Sequence, residues 1–124
     1  MPEQPVANPP DTEIVDLLVI AYRDFNARRM EAVLAIMQPD VDWPNGLEGG
    51  RVAGRDAVRV YWKRQWSIID PYLDPVEFKT TPNGKIDVKI HQLVRDLEGN
   101  LIRESYVHHM YTFRDGLIDH MEIL

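Results

Sequence analysis

The sequence predicts one α+β domain, three helices followed by a largely antiparallel sheet, and three observations carry that prediction. Apolar residues recur with helical spacing in three separate stretches of the N-terminal half. Alternating, β-rich segments then run without interruption to the end of the chain. Asn83-Gly84, Glu98-Gly99 and Asp115-Gly116 separate those segments, and such pairs are strong hairpin signals.

The first helix starts at Asp11 or Thr12, either of which serves as N-cap just after Pro9 and Pro10. Ile14, Leu17, Leu18, Ala21, Tyr22 and Phe25 form its buried face. A second helix, about residues 29–37, repeats the pattern with Met30, Val33, Leu34 and Met37, and Pro39 ends it. Residues 40–43 read as a short strand, and Pro44, Asn45, Gly46, Gly49 and Gly50 as a flexible loop. The third helix follows Gly54 and runs to about residue 69, with Val58, Tyr61, Trp62, Gln65, Trp66 and Ile69 on one stripe and Pro71 as its stop. Strands are expected near residues 76–81, 85–95, 103–114 and 117–124, with type I′ geometry at the Asn-Gly and Asp-Gly turns. Residues 1–10 hold four prolines and read as an extended, loose lead-in, so the domain is expected to span residues 11–124.

Composition narrows the function. A chain of 124 residues, 44% apolar and 27% charged, can bury a real core. It has no cysteine, which excludes disulfides, thiolate nucleophiles and thiolate metal sites and fits a reducing cytoplasm best. A net charge of -6 argues against nucleic acid. The densest basic stretch (Arg51, Arg55, Arg59, Lys63, Arg64) is spread round the third helix as a solvated face. No apolar run approaches the ~20 residues of a membrane span, and the N-terminus lacks the charged and apolar regions of a signal peptide.

Alternation divides the strands into two faces. Ile86, Val88, Ile90, Gln92 and Val94 share one side of the second strand, against Asp87, Lys89, His91 and Leu93. On the third, Val107, His109, Tyr111 and Phe113 oppose Tyr106, His108, Met110 and Thr112. An outer face carrying Leu93, Tyr106 and Met110 is expected to meet a second copy of the chain, giving a homodimer; scattered exposed apolar residues are the plainer alternative.

The element order, the MEAVLAIM…PDVDW junction, the AGRDAVRVYW helix start and the YTFRDGLI hairpin resemble the SnoaL-like branch of the nuclear transport factor 2-like superfamily, over roughly residues 11–124. That resemblance implies a cystatin-like cone: three N-terminal helices packed on a curved sheet, with a cavity between them. It does not imply one activity, because the fold hosts several. Ketosteroid isomerase, a relative that is itself a standard example of pKa tuning, needs a carboxylate base and acidic donors. Alignment to it puts Asn45 at the base, Ala21 at the catalytic tyrosine with Tyr22 one step round, Met37 at the supporting tyrosine and His109 at the third-strand donor. SnoaL-type polyketide cyclases place a histidine on the third long strand and an acid on the last, which His109 and either Asp119 or Glu122 would match. A regular two-residue turn sets His109 opposite Glu122 and Tyr111 opposite His120; the isomerase alignment turns Met121 and Ile123 inward instead, and a bulge would reconcile the two.

Three sets of residues carry the chemical expectation. His109 with Glu122 would be an acid–base pair, the carboxylate raising the imidazole pKa, or else a structural cross-strand pair. Tyr22, Trp43, Tyr61, Trp62, Trp66 and Tyr111 would line a pocket for a flat apolar ligand, with Val88, Ile90 and Met121 on its walls and Asn45, Gln92 and His109 orienting it; each could equally be core filling. His91, His108, His109 and His120 do not converge as a metal site, although His91 and His108 could meet on the outer face. The expectation is a small pocket protein that binds or transforms a hydrophobic or aromatic metabolite. If catalytic, it would work without cofactor, with His109 as acid–base group and Tyr111 and Asn45 polarising a carbonyl. The rival is a non-catalytic ligand-binding or dimerisation module.

Overall fold

A computed structural model describes residues 11–124, so the expected lead-in at residues 1–10 lies outside the described residues. Helix α1 (Thr12–Asn26) begins where Asp11 accepts the Glu13 N–H at 2.8 Å, satisfying one of the free donors of the first turn. Its Leu18, Ala21, Tyr22 and Phe25 are buried, as their spacing requires. Then follow α2 (Met30–Leu34), strands β1 (Met37–Pro44) and β2 (Arg51–Ala53), and α3 (Arg55–Trp66). The rest is sheet: β3 (Ile69–Thr80), β4 (Ile86–Asp96), β5 (Leu101–Arg114) and β6 (Leu117–Ile123). The strands form one six-stranded sheet in the order β2-β1-β6-β5-β4-β3, and only the β1–β6 pair is parallel. Helix α1 packs on β3, and α3 on β1, β2 and β3, so the helices cover one face. The expected α+β cone is the fold observed.

Several boundaries differ from expectation, each for a readable reason. The second helix stops at Leu34; Met37 opens β1 instead and is buried beside β6, opposite Ile118. A short apolar run does not distinguish helix from strand, and Met37 satisfies either period. The third helix ends at Trp66, and Ile69 already pairs with Asp96. Strand β3 therefore contains Pro71, the expected stop of the third helix, and Pro75, both tolerated because β3 is an edge strand. Strand β2 lies between the expected loop and the third helix, in residues for which no element was expected, and pairs Val52 with Trp43. Asp115 and Gly116 both take positive φ (53° and 78°), the I′ pattern. The other two turns use only one left-handed residue, Gly84 or Gly99, at the end of a longer loop.

The four arginines of the basic stretch are occupied with their own neighbours. Arg51 pairs with Asp42, Arg59 with Glu31 and Asp56, and Arg64 with Glu48, while Arg55 donates to the Met37 carbonyl. The core joins α1, α2, α3 and the inner sheet face through Leu18, Leu34, Met37, Val58, Trp62 and Ile118.

Candidate functional site

The helices do not close completely on the sheet. A cavity of about 680 Å³ remains, a volume suited to a drug-sized molecule. Helix α1 contributes Ala21, Tyr22 and Phe25, and α3 contributes Tyr61, Trp62 and Gln65. The sheet contributes Trp43, Leu73, Gln92, Val107, His109, Tyr111 and Met121. Trp43 meets Trp62 edge to face at 5.7 Å, and Trp43 lies 6.4 Å from Tyr111, so the aromatic wall is continuous. Tyr61 Oη accepts the Gly46 N–H and the Gln65 amide, both at 3.0 Å, and ties the β1–β2 loop to α3 at the rim.

Three polar side chains meet deep in this cavity. Tyr22 Oη lies 2.7 Å from His109 Nδ1 and 2.6 Å from Tyr111 Oη, all buried. A helix residue spaced with the apolar face and two inward residues of β5 thus form one chain. Tyr22 has a single proton, so it donates along one bond and accepts along the other. If it donates to Nδ1, then Tyr111 donates to Tyr22, and the imidazole carries its proton on Nε2. If Nδ1–H donates to Tyr22, then Tyr22 donates to Tyr111, whose own proton is free. Among the described residues, Trp66 Nε1 is the one sealed side-chain polar atom without a partner. His109 Nε2 has no hydrogen-bond partner among the described residues and is not sealed, so it opens on the cavity that His109 lines.

Electrostatics keep the chain neutral. Burial, and secondarily the adjacent His108, lowers the His109 pKa to about 3, so imidazolium is strongly disfavoured. Burial raises both tyrosines, with Tyr111 pushing Tyr22 further up. Formation of an ion anywhere in the trio is opposed, while movement of protons along it is not.

The expected pairing of His109 with Glu122 does not form. A bulge between Thr112 and Phe113 takes up Asp119, so Thr112 pairs with His120, Tyr111 with Met121 and His109 with Ile123. Glu122 instead approaches His120 at 3.2 Å and Lys85 at 3.9 Å. It belongs to the cavity rim, not to the polar floor. Asn45 also lines the rim: its carbonyl oxygen accepts from Leu47 and Glu48 N–H at 3.1 and 2.9 Å in an Asx turn, and its Nδ2, the donor that the polarising role needs, is turned to Glu48 Oε1 at 3.4 Å. Val88 and Ile90 face inward yet are wholly packed in the core, not on the cavity wall. Trp66 lies behind the wall, stacked 5.8 Å from Trp62 with the Arg28 guanidinium 4.9 Å from its ring. Tyr22, Trp43, Tyr61, Trp62, Gln92, His109, Tyr111 and Met121 do line it.

His91 and His108 do not meet on the outer face; each has its own carboxylate, Glu104 at 2.7 Å and Asp87 at 2.8 Å. Reasoning from sequence missed the Tyr22–His109 contact, because 87 residues separate the partners. It also missed Arg103, although that residue shares the strand face of His109 and Tyr111.

A profile of the SnoaL-like domain matches residues 20–121. The chain belongs to the SnoaL-like family. Three solved structures resemble this SnoaL-like chain over most of its length. TerC, co-crystallised with polyporic acid, is 25% identical, with a TM-score of 0.76 over 89% of this chain and 88% of that one. A nuclear transport factor 2-like protein of unknown function from Burkholderia pseudomallei is 26% identical, with a TM-score of 0.77 over 89% and 88%. A Mycobacterium tuberculosis protein in complex with estradiol-17β-hemisuccinate shares the fold at 19% identity, with a TM-score of 0.73 over 88% and 90%. No functionally curated protein matches the sequence. No helix among the described residues is long and apolar enough to cross a membrane.

Proposed function

We propose that this SnoaL-like domain binds a flat, hydrophobic or aromatic metabolite and shifts a proton between two of its atoms without a cofactor. The observation that carries the reading is the neutral Tyr111–Tyr22–His109 chain at the floor of an aromatic cavity. In one of its two states Tyr111 offers a proton and His109 Nε2 offers a lone pair. A carbonyl oxygen at Tyr111 with an activated C–H at Nε2 uses both at once. The C–H proton passes to Nε2, Nδ1–H passes its proton to Tyr22, Tyr22 to Tyr111, and Tyr111 to the carbonyl oxygen. The ligand becomes its enol, the chain is left in its other state, and no group becomes charged. This suits a buried imidazole that resists protonation and two phenols that resist ionisation. The reading thus replaces a titrating His109 with a relaying one. The polyporic acid co-crystallised with TerC and the estradiol-17β-hemisuccinate bound by the mycobacterial protein support an oxygenated hydrophobic ligand.

One observation favours a binding module instead. Glu122, the one carboxylate on the cavity lining, is already engaged by His120 and Lys85, so no carboxylate base faces the floor. Proton–deuteron exchange at the benzylic CH2 beside the carbonyl of 2-tetralone, followed by NMR, separates the readings. Wild type is expected to accelerate exchange, with Tyr22→Phe and His109→Ala losing the acceleration. Saturable binding with no acceleration would leave a carrier, and no binding would sink the pocket reading altogether.

We also propose that a second copy covers the outer sheet face, where Tyr106 is 61% and Tyr72 49% exposed. Native mass spectrometry should find a dimer that Tyr106→Glu dissociates; a monomeric wild type would end the idea.

A further inference from the structure

The inner face of β4 and β5 changes character along its length. Tyr111 lies opposite Ile86, His109 opposite Val88, Val107 opposite Ile90, Ser105 opposite Gln92 and Arg103 opposite Val94. The polar floor is therefore followed by an apolar row, then by Gln92, and finally by a cation at the far rim. A bulge between Val94 and Arg95 leaves Ile102 unpaired, and both Ile102 and Arg103 line the cavity.

Arg103 differs from the other cation of the lining. Arg51 is held by Asp42 and by the Met121 carbonyl. Arg103 makes no ion pair or hydrogen bond among the described residues. The Gln92 side chain, midway along the wall, likewise has no hydrogen-bond partner among them. The one carboxylate of the lining, Glu122, is opposite Met110 on the far side of the His109 row and is engaged by His120 and Lys85. In a chain of net charge -6, a free guanidinium at the cavity rim is a local reversal of the general repulsion of anions. Its planar fork suits a carboxylate.

We infer that the cavity takes an elongated acid: an aromatic or polycyclic body with an oxygen at the Tyr111–Tyr22–His109 floor and a carboxylate at Arg103. This rests on the pocket reading above and names its ligand class. Six residues of extended strand separate His109 from Arg103, about 20 Å between Cα atoms at ~3.3 Å per residue. The two side chains close part of that span, so a compact single-ring acid cannot touch both ends. Three or four fused rings with a short acidic arm can, and the cavity volume of about 680 Å³ accommodates them.

The test compares estradiol-17β-hemisuccinate with its methyl ester, which keeps the shape and removes the charge. Calorimetric titration of wild type should find the acid bound roughly tenfold or more tightly than the ester, the usual scale for a charged hydrogen bond. Arg103→Gln should erase that ratio by weakening the acid alone, with ester affinity unchanged. Arg95→Gln, which removes an equal charge from a residue that does not line the cavity, should leave the ratio intact. Equal binding of acid and ester by wild type, or a preference that survives Arg103→Gln, would overturn the inference while the pocket reading stands. If neither compound binds, both fall together.

Discussion

The inner and outer faces of the sheet hold histidine in opposite ways. His109 faces inward, 4% exposed, with a phenol as its one hydrogen-bond partner among the described residues, and burial drives its pKa to about 3. His108, next in the chain, faces outward to Asp87; His91 and His120 share that face with Glu104, Asp42 and Glu122. Outside, the imidazoles are matched with full negative charges in contact with water. Inside, the imidazole is matched with a neutral dipole in a buried site. Charge is cheap on one face and excluded on the other, so only the inner face can hold a proton relay that stays neutral.

The strongest way to break this comparison is to put charge on the wrong face. Ile90→Asp, opposite Val107 and Pro75, buries a carboxylate among apolar side chains and is expected to prevent stable folding, whereas Lys89→Gln, one residue earlier and on the outer face over Tyr106, should change stability by no more than about 1 kcal/mol. Urea unfolding monitored by circular dichroism checks both. Next in size, Trp62→Ala removes a nearly buried ring shared by core and cavity wall and should cost about 3–5 kcal/mol in the same assay.

Acid sharpens the contrast. The unfolded histidine titrates near ~6.5, but the folded His109 does not take a proton until about 3. Below about 6.5 the unfolded chain therefore binds a proton that the folded chain refuses. The His109 contribution is complete above that pH and is lost on acidification, by up to ~1.4 kcal/mol per pH unit. Between pH 7 and pH 5 this amounts to about 2 kcal/mol, and the stability curve of His109→Gln should be flatter by that amount. In NMR, the His109 ring should remain in its neutral form at pH 5. The smallest effect compares two hydroxyls. Tyr22→Phe orphans both His109 Nδ1 and the Tyr111 hydroxyl and should cost about 1–3 kcal/mol, whereas Tyr106→Phe on the outer face should stay within about 0.5 kcal/mol.

Much of this two-faced sheet was legible in the sequence, because a period of two is a local property. Ile86, Val88 and Ile90 are buried as their alternation implies, and Tyr106 is exposed. The α1 stripe was equally plain, down to the burial of Tyr22. What was not legible depends on pairing at a distance. The parallel β1–β6 contact and the Tyr22–His109 bond join residues far apart in sequence. The bulge at Asp119 carries no glycine signature, so the regular register that set His109 opposite Glu122 had nothing local against it. Val88 and Ile90 show a further limit: alternation says which way a side chain points, but not whether a cavity or another side chain awaits it.

That bulge also sets how the chain tolerates changes of length. Strand β6 carries one residue more than β5 can pair, and Arg114 holds the surplus Asp119 at 3.1 Å. A strand with a residue to spare can lose one. Deletion of either Asp119 or His120 would let the ladder close regularly, with Met121 still opposite Tyr111 and Ile123 still opposite His109. An insertion meets no such slack, because the next residue to enter the ladder would exchange its two sides and bring a carboxylate to the cavity floor. In evolutionary terms, the last strand can shorten by a codon without disturbing the site, but cannot lengthen by one on the same terms.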